Sequence, residues 1–155
     1  MALVELLLAP LPAHVRTARL VTVAASRRAG LDDELVDELR LAVGEAASRA
    51  VGLHARYAPH LPVRITIEDG PGGLVVTVTD RGPAAGPLTD DLADEIVGAH
   101  DGDDDVVDPD VALALLTGLV DTATVQVDAQ GTVVTLRWPL PVDVQGVGAT
   151  AGATT

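Results

Sequence analysis

Hydrophobic and polar positions repeat with two different periods along the chain, and the change of period separates predicted strands from predicted helices. An apolar run at 3–8 predicts a largely buried strand, which stops at two prolines that cannot donate strand hydrogen bonds. Apolar residues at helical spacing predict two helices, over 13–29 and from 32 to about 53. Short alternating segments predict four further strands, arranged as two hairpins, at 63–68, 74–79, 124–128 and 132–138.

The two predicted helices have local signals at their ends. Gly30 is a natural stop for the first helix, because glycine readily adopts the left-handed conformation that closes many helices. Asp32 is predicted to be the N-cap of the second helix, with Leu31 and Val36 placed to form a hydrophobic staple. The apolar face of the first helix is predicted to contain Val15, Ala18, Leu20 and Val23. The core stripe of the second is predicted to contain Leu35, Leu39, Ala42, Val43, Ala46 and Ala50.

The segment between the two predicted hairpins is long and acidic. Residues 84–109 contain Gly and Pro and are rich in Asp, and a connection of this length is typical of a functional lid or a disordered segment. Residues 110–121 predict a third helix. Residues 141–155 lack periodicity and are predicted to form a flexible tail. This order of elements predicts a single domain over 1–140, an α/β two-layer sandwich with three helices covering one face of a mixed, mainly antiparallel sheet.

Composition narrows the classes of function. The 155 residues are 48% hydrophobic, which is enough for one core, and the formal net charge is −13. Direct nucleic-acid binding is not expected, since the chain has no lysine and only two aromatic residues, and anionic membranes are disfavoured. The N-terminal apolar run is too short and too acidic for a signal peptide, so a cytoplasmic location is expected. The absence of cysteine excludes disulfides and thiolate chemistry.

Three local patterns suggest ligand sites but lack residues that such sites need. The Gly-rich turn at 69–73 opens a strand and has no following Gly-Lys-Ser/Thr, so it does not match a phosphate-binding loop. The alternating aspartates at 101–105 lack the glycine and glutamate of a calcium loop. The four histidines have no zinc-ligand spacing and are predicted to lie at the surface: His14, His54, His60 and His100.

Five short segments resemble one known family, in the order and spacing that the family shows. They are Val15-Arg-Thr-Ala-Arg19, Leu41-Ala-Val-Gly-Glu-Ala46, Val78-Thr-Asp-Arg-Gly-Pro83, Leu119-Val-Asp121 and Gly131-Thr-Val-Val-Thr-Leu136. Residues 12–140 therefore resemble the bacterial anti-sigma-factor serine kinases, which belong to the GHKL or histidine-kinase-like ATPase superfamily. The resemblance implies the Bergerat-type fold of that superfamily.

The resemblance also implies roles for individual residues. Glu45 matches the general base that polarises the attacking hydroxyl. Asp80 matches the aspartate that accepts a hydrogen bond from the adenine amine, and Gly82 matches the glycine that lets the ring approach the backbone. Arg49 stands where the family has the asparagine that helps to hold Mg²⁺, and a guanidinium has only donors. Ser48 is nearby but is displaced from the asparagine position.

The phosphate end of the implied site departs further from the family. Its phosphate-cradling Gly-x-Gly corresponds to Asp110 and Ala112, and the neighbouring lid is acidic, so its carboxylates would repel a triphosphate. Two interpretations of Glu45 remain open. It is either a retained or vestigial catalytic base or one member of an exposed helical ion pair with Arg49, four residues further along.

The leading hypothesis is a regulator of transcription that binds a sigma factor, an anti-anti-sigma antagonist of the STAS type, or both. ATP and Mg²⁺ are possible cofactors but are disfavoured, and no metal site is assigned. The resemblance places the partner surface on the first helix, with Arg16, Arg19, Arg27 and Arg28, and homodimers are common in the family. The alternative hypotheses are an active ATP-dependent serine kinase acting on the antagonist and a small-molecule sensor domain.

Overall fold

The computed structural model describes residues 2–82, 120 and 122–141. Within them the chain forms β1 (Ala2–Leu8), α1 (Pro12–Arg28), α2 (Asp33–Tyr57), β2 (Val63–Gly70), β3 (Gly73–Asp80), β4 (Ala123–Asp128) and β5 (Gly131–Trp138). Each of these elements is predicted by the sequence, and the largest difference in bounds is at the end of α2, which continues beyond Leu53 to Tyr57. The prediction that β1 is largely buried is wrong, because alternate side chains of this edge strand, including Leu3 and Leu7, are exposed. The predicted acidic lid, the third helix and the tail beyond 141 lie outside the described residues.

The five described strands form one sheet in the order β1-β2-β3-β5-β4. Every neighbouring pair among the described strands is antiparallel, in agreement with the prediction of a mainly antiparallel sheet. Two of the four pairings, β2–β3 and β4–β5, are hairpins, in which a tight turn reverses the direction of the chain. The register places Asp80, the last residue of β3, opposite Thr132 near the start of β5.

The two described helices and the sheet form the two predicted layers. Because side chains alternate across a strand, one face of the sheet is apolar and buried, with Val63, Ile65, Ile67, Leu74, Val76, Val78, Val134 and Leu136. The helices contribute buried residues to the same core, among them Ala18, Val36, Leu39, Val43, Ala46 and Ala50. The core contains almost no aromatic side chains, so it depends on close packing of branched aliphatic groups.

Some details of the helices differ from the sequence-based expectations. Leu20 is exposed, because in a helix of 3.6 residues per turn it lies on the side of α1 opposite Ala18. Asp32 occupies the N-cap position of α2, but its side chain makes no capping hydrogen bond, while the neighbouring Leu31 and Val36 are both buried. In the described part of the chain, no helix has the length and apolar character needed to cross a membrane.

Candidate functional site

A buried ion pair joins α2 to the end of β3. Arg49 Nη1 donates to Asp80 Oδ2 at 2.7 Å, and both side chains are only 2% exposed. Arg49 reaches this position because it lies on the side of α2 that faces the sheet, and Asp80 because it continues the buried alternation of β3. Removing two charges from water this completely is costly unless they are paired. The two residues therefore form one electrostatic unit.

The remaining nitrogens of Arg49 are less well satisfied. Nη2 donates to Thr132 Oγ1 over a long 3.4 Å, and Thr132 is itself fully buried. The Nε atom of Arg49 is buried and has no hydrogen-bond partner among the described residues. The guanidinium thus carries an unmet donor, which is uncommon for so buried a group.

The second oxygen of the Asp80 carboxylate is also occupied. Its Oδ1 accepts a hydrogen bond from the backbone N–H of Gly82 at 3.0 Å. Gly82 is buried, and a Cβ at this position would lie 2.9 Å from Leu53 Cβ and 3.3 Å from that same Oδ1. The close approach of α2 therefore requires a glycine here.

His54 binds the backbone of Arg81, the residue between Asp80 and Gly82. Its Nε2 accepts a hydrogen bond from the backbone N–H of Arg81 at 2.8 Å, and its Nδ1 lies 2.9 Å from the carbonyl oxygen of Leu61. A carbonyl oxygen can only accept, so these partners assign the ring proton to Nδ1. His54 is completely buried, and the prediction that it lies at the surface is wrong. The signal was present, because residue 54 extends the core stripe one turn beyond Ala50.

Residues 80–82, which we call the β3 exit, are thus held one after another by α2, through Arg49, His54 and Leu53. The start of β5 confines them from another side. Gly131 has φ +144°, and a Cβ there would collide with the backbone carbonyl of the first residue of the β3 exit. The geometry of this segment is consequently fixed by protein groups.

Within the described ranges, the two other residues considered for the nucleotide site, Glu45 and Ser48, make no hydrogen bond or ion pair with this cluster. Glu45 is half-buried on α2, and Ser48 is exposed. The interpretation of Glu45 and Arg49 as an exposed helical ion pair is wrong, because Arg49 is buried and pairs with Asp80. A step of one residue turns a helix by about 100°, so Ser48 and Arg49 point in different directions.

The arginines of α1 divide into two groups. Arg16, Arg27 and Arg28 are exposed. Arg19 is partly buried, and its guanidinium lies against α2 in the space that a Cβ on Gly44 would fill. None of the four makes a hydrogen bond or ion pair with the β3 exit, as far as the described residues extend.

The described part of the site does not fit Mg²⁺. Magnesium takes oxygen ligands in near-octahedral geometry, whereas position 49 supplies a cation that has only donors. Both oxygens of Asp80 already accept hydrogen bonds. Over the described ranges, no group of three or more His, Asp or Glu side chains is placed to hold a metal. The described residues hold the β3 exit in place through hydrogen bonds, but they do not provide a set of metal ligands.

Comparison with solved structures supports the architecture. The chain is similar to the crystal structure of the RsbU and RsbW domains of Rv1364c from Mycobacterium tuberculosis, with a TM-score of 0.65 and 20% sequence identity. The match covers 90% of this chain and 33% of that chain, so the present chain spans about a third of its length. At this identity the likeness establishes the fold. No curated protein matches the chain significantly.

A family comparison is more specific. The model of the histidine kinase-like ATPase domain matches residues 8–138, from the end of β1 to the end of β5. This range contains both described helices and the whole β3 exit. Since the match covers most of the chain, the chain belongs to the histidine kinase-like ATPase domain family.

Proposed function

We propose that this domain is an anti-sigma-factor-like regulator of transcription that acts by binding a protein partner. The partner is a sigma factor, an STAS-type anti-anti-sigma antagonist, or both. Membership of the histidine kinase-like ATPase family and the fold shared with a structure containing an RsbW domain support this class of function. The single observation that favours binding over phosphoryl transfer is the buried pair of Arg49 and Asp80.

Phosphoryl transfer in a metal-dependent kinase requires positioning and charge neutralisation by the metal as well as a base. Glu45 is half-buried on α2 and retains the chemical character of a base. Arg49, however, places a fixed positive charge where the resemblance expects a Mg²⁺ ligand. Its guanidinium is paired with Asp80 and offers a metal no lone pair. A retained base beside a residue that cannot ligate the metal supports a binding protein better than a kinase.

The charge distribution supports a partner contact on α1. The formal net charge is −13, so the exposed arginines of this helix are a local exception. Arg16 and Arg27 are exposed and are proposed to face the partner, whereas Arg19 contributes mainly through its packing on Gly44. Opposite charge across an interface increases the association rate and selects among partners.

The surface assignment is tested by charge reversal. The double variant Arg16→Glu/Arg27→Glu is expected to lower the association rate with a sigma factor or STAS-type protein and to weaken its salt dependence. The variant Arg137→Glu, which changes an exposed arginine on β5, is the matched control. Equal binding by the control and the double variant would reject α1 as the partner surface.

The choice between binding and catalysis is tested with labelled ATP, Mg²⁺ and an STAS-type protein. We expect no phosphoryl transfer above that of Glu45→Ala, and no saturable heat when ATP is titrated with or without Mg²⁺. Transfer that depends on Glu45 would instead establish the serine kinase, which is the second candidate function because this carboxylate is retained. Saturable binding of a nucleotide other than ATP, measured by calorimetry against a nucleotide panel, would favour the sensor alternative.

A further inference from the structure

The carboxylate of Asp80 has both oxygens engaged before any ligand arrives. Oδ2 accepts from the charged Nη1 of Arg49 at 2.7 Å, and Oδ1 accepts from the backbone of Gly82 at 3.0 Å. The side chain is 2% exposed. A ligand amine that approaches this carboxylate must displace the guanidinium. A neutral amine compensates poorly for that loss, because it brings no positive charge to a carboxylate that is buried and has lost its counter-charge.

The guanidinium is chemically similar to the group it would exclude. The exocyclic amine of adenine and the Nη groups of arginine are both planar N–H donors, and each makes an N–H···O hydrogen bond to a carboxylate. Arg49 adds a positive charge and comes from α2, so it forms this bond within the protein at no cost of association.

We propose that Arg49 is a built-in competitor for a nucleobase and that this one side chain keeps the base subsite at Asp80 closed. The inference rests on the proposed function, since both depend on the Arg49–Asp80 pair. It adds a separate claim, namely that the base subsite remains intact beneath the arginine. The subsite would then accept an adenine-type base, which offers an amine donor, once the guanidinium is removed.

The remaining contacts of the β3 exit support an intact subsite. His54 holds the backbone N–H of Arg81, Leu53 lies against Gly82, and Gly131 confines the backbone of Asp80. None of these three contacts involves Arg49. The frame around the carboxylate therefore has supports of its own when residue 49 is changed.

The unsatisfied Nε donor of Arg49 also supports this inference. A guanidinium has five N–H groups, and here Nη1 has a short bond, Nη2 has a 3.4 Å bond and the buried Nε has none among the described residues. A side chain selected only to stabilise the fold would be expected to satisfy more of its donors. The incomplete set indicates that the surroundings of the guanidinium are not built around all of its N–H groups.

The experiment compares adenosine binding by the wild-type chain and by Arg49→Asn in calorimetric titrations. Adenosine is the probe because it carries the base without phosphates, so neither a metal nor the acidic segment affects the result. We expect no saturable binding to the wild type. For Arg49→Asn we expect a Kd for adenosine that is lower, by about 100-fold or more, than the weakest Kd the wild-type titration could detect. The reason is that adenosine need no longer break a buried ion pair. Adding Asp80→Asn to this variant should abolish the gain.

A second variant, Arg49→Met, removes the charge but keeps most of the length of the side chain, and it should also gain adenosine binding. Circular dichroism and thermal unfolding establish that each variant is folded. If both variants are folded and neither binds, the inference is overturned while the proposed function stands. If neither variant folds, it is also overturned, because the frame would then depend on Arg49. If the wild type binds adenosine as tightly as Arg49→Asn does, the inference fails. The proposed function, which expects no nucleotide binding, then fails as well.

Discussion

The substitution Asp80→Ala is expected to destabilise the domain strongly, because it leaves the guanidinium of Arg49 buried without a counter-charge. The two side chains are each 2% exposed and their charged atoms are 2.7 Å apart. Removing one member of such a buried pair costs about 3–5 kcal/mol in the free energy of unfolding. In a domain of this size about 1 kcal/mol corresponds to 2–4 °C, so the melting temperature should fall by about 6–20 °C.

The free energy of unfolding can be measured by urea titration with tryptophan fluorescence. Trp138 is the only tryptophan, it is 2% exposed, and its Nε1 donates to Glu38 Oε1 on α2 at 2.9 Å. Its emission therefore reports on the contact of α2 with the sheet. The matched control is Glu5→Ala, which breaks the exposed pair with Arg64, whose side chain is 57% exposed. Exposed pairs contribute about 0–1 kcal/mol, so the control should unfold almost as the wild type does.

A double-mutant cycle separates the pair from the rest of its surroundings. Arg49→Ala/Asp80→Ala should lose less stability than the sum of the two single losses, because neither charge is then left unpaired. If Asp80→Ala cost no more than Glu5→Ala, or if the losses from the two single changes were additive, Arg49 and Asp80 would not be a mutually stabilising buried pair.

Two further substitutions test the remaining supports of the β3 exit. Gly82→Ala should lower the free energy of unfolding by about 1–3 kcal/mol, because its Cβ would lie 2.9 Å from a side-chain atom of α2. Gly52→Ala, in an exposed part of α2 with open space around it, should instead raise stability by about 0.5–1 kcal/mol, and the same result at both positions would contradict the packing. His54→Ala should cost at least about 2 kcal/mol, since the ring is fully buried and accepts from the backbone N–H of Arg81, whereas the exposed His60→Ala should change stability by less than about 0.5 kcal/mol. Thermal unfolding of both histidine variants checks this, and equal losses would count against the role of His54.

The fold could be predicted well because its signals are local. Helical periodicity and strand alternation specify each described element, and two short turns determine the hairpins. The directions of the strand pairs outside the hairpins, β1–β2 and β3–β5, depend on the path of the whole chain, so local signals do not specify them. The described pairs are all antiparallel.

The site could be predicted only in part. Family resemblance singled out Glu45, Arg49 and Asp80, but local spacing suggested that Arg49 would pair with the acid four residues away. The observed partner lies 31 residues away on another element, and no local pattern encodes that contact. His54 was assigned to the surface because a histidine is polar, although its position continues the buried stripe of α2. Tertiary packing decided both positions.

The pairing of the Arg49 guanidinium with Asp80 can be measured directly by ¹⁵N–¹H NMR of the arginine side chains. If Arg49 is fixed on Asp80, its Nη–H resonances should be resolved, slow to exchange with water and averaged in the Asp80→Asn variant. Arg64, which is exposed, provides the averaged reference within the same protein. Averaged and rapidly exchanging Arg49 resonances in the wild type would show that Arg49 is not held on Asp80 in solution.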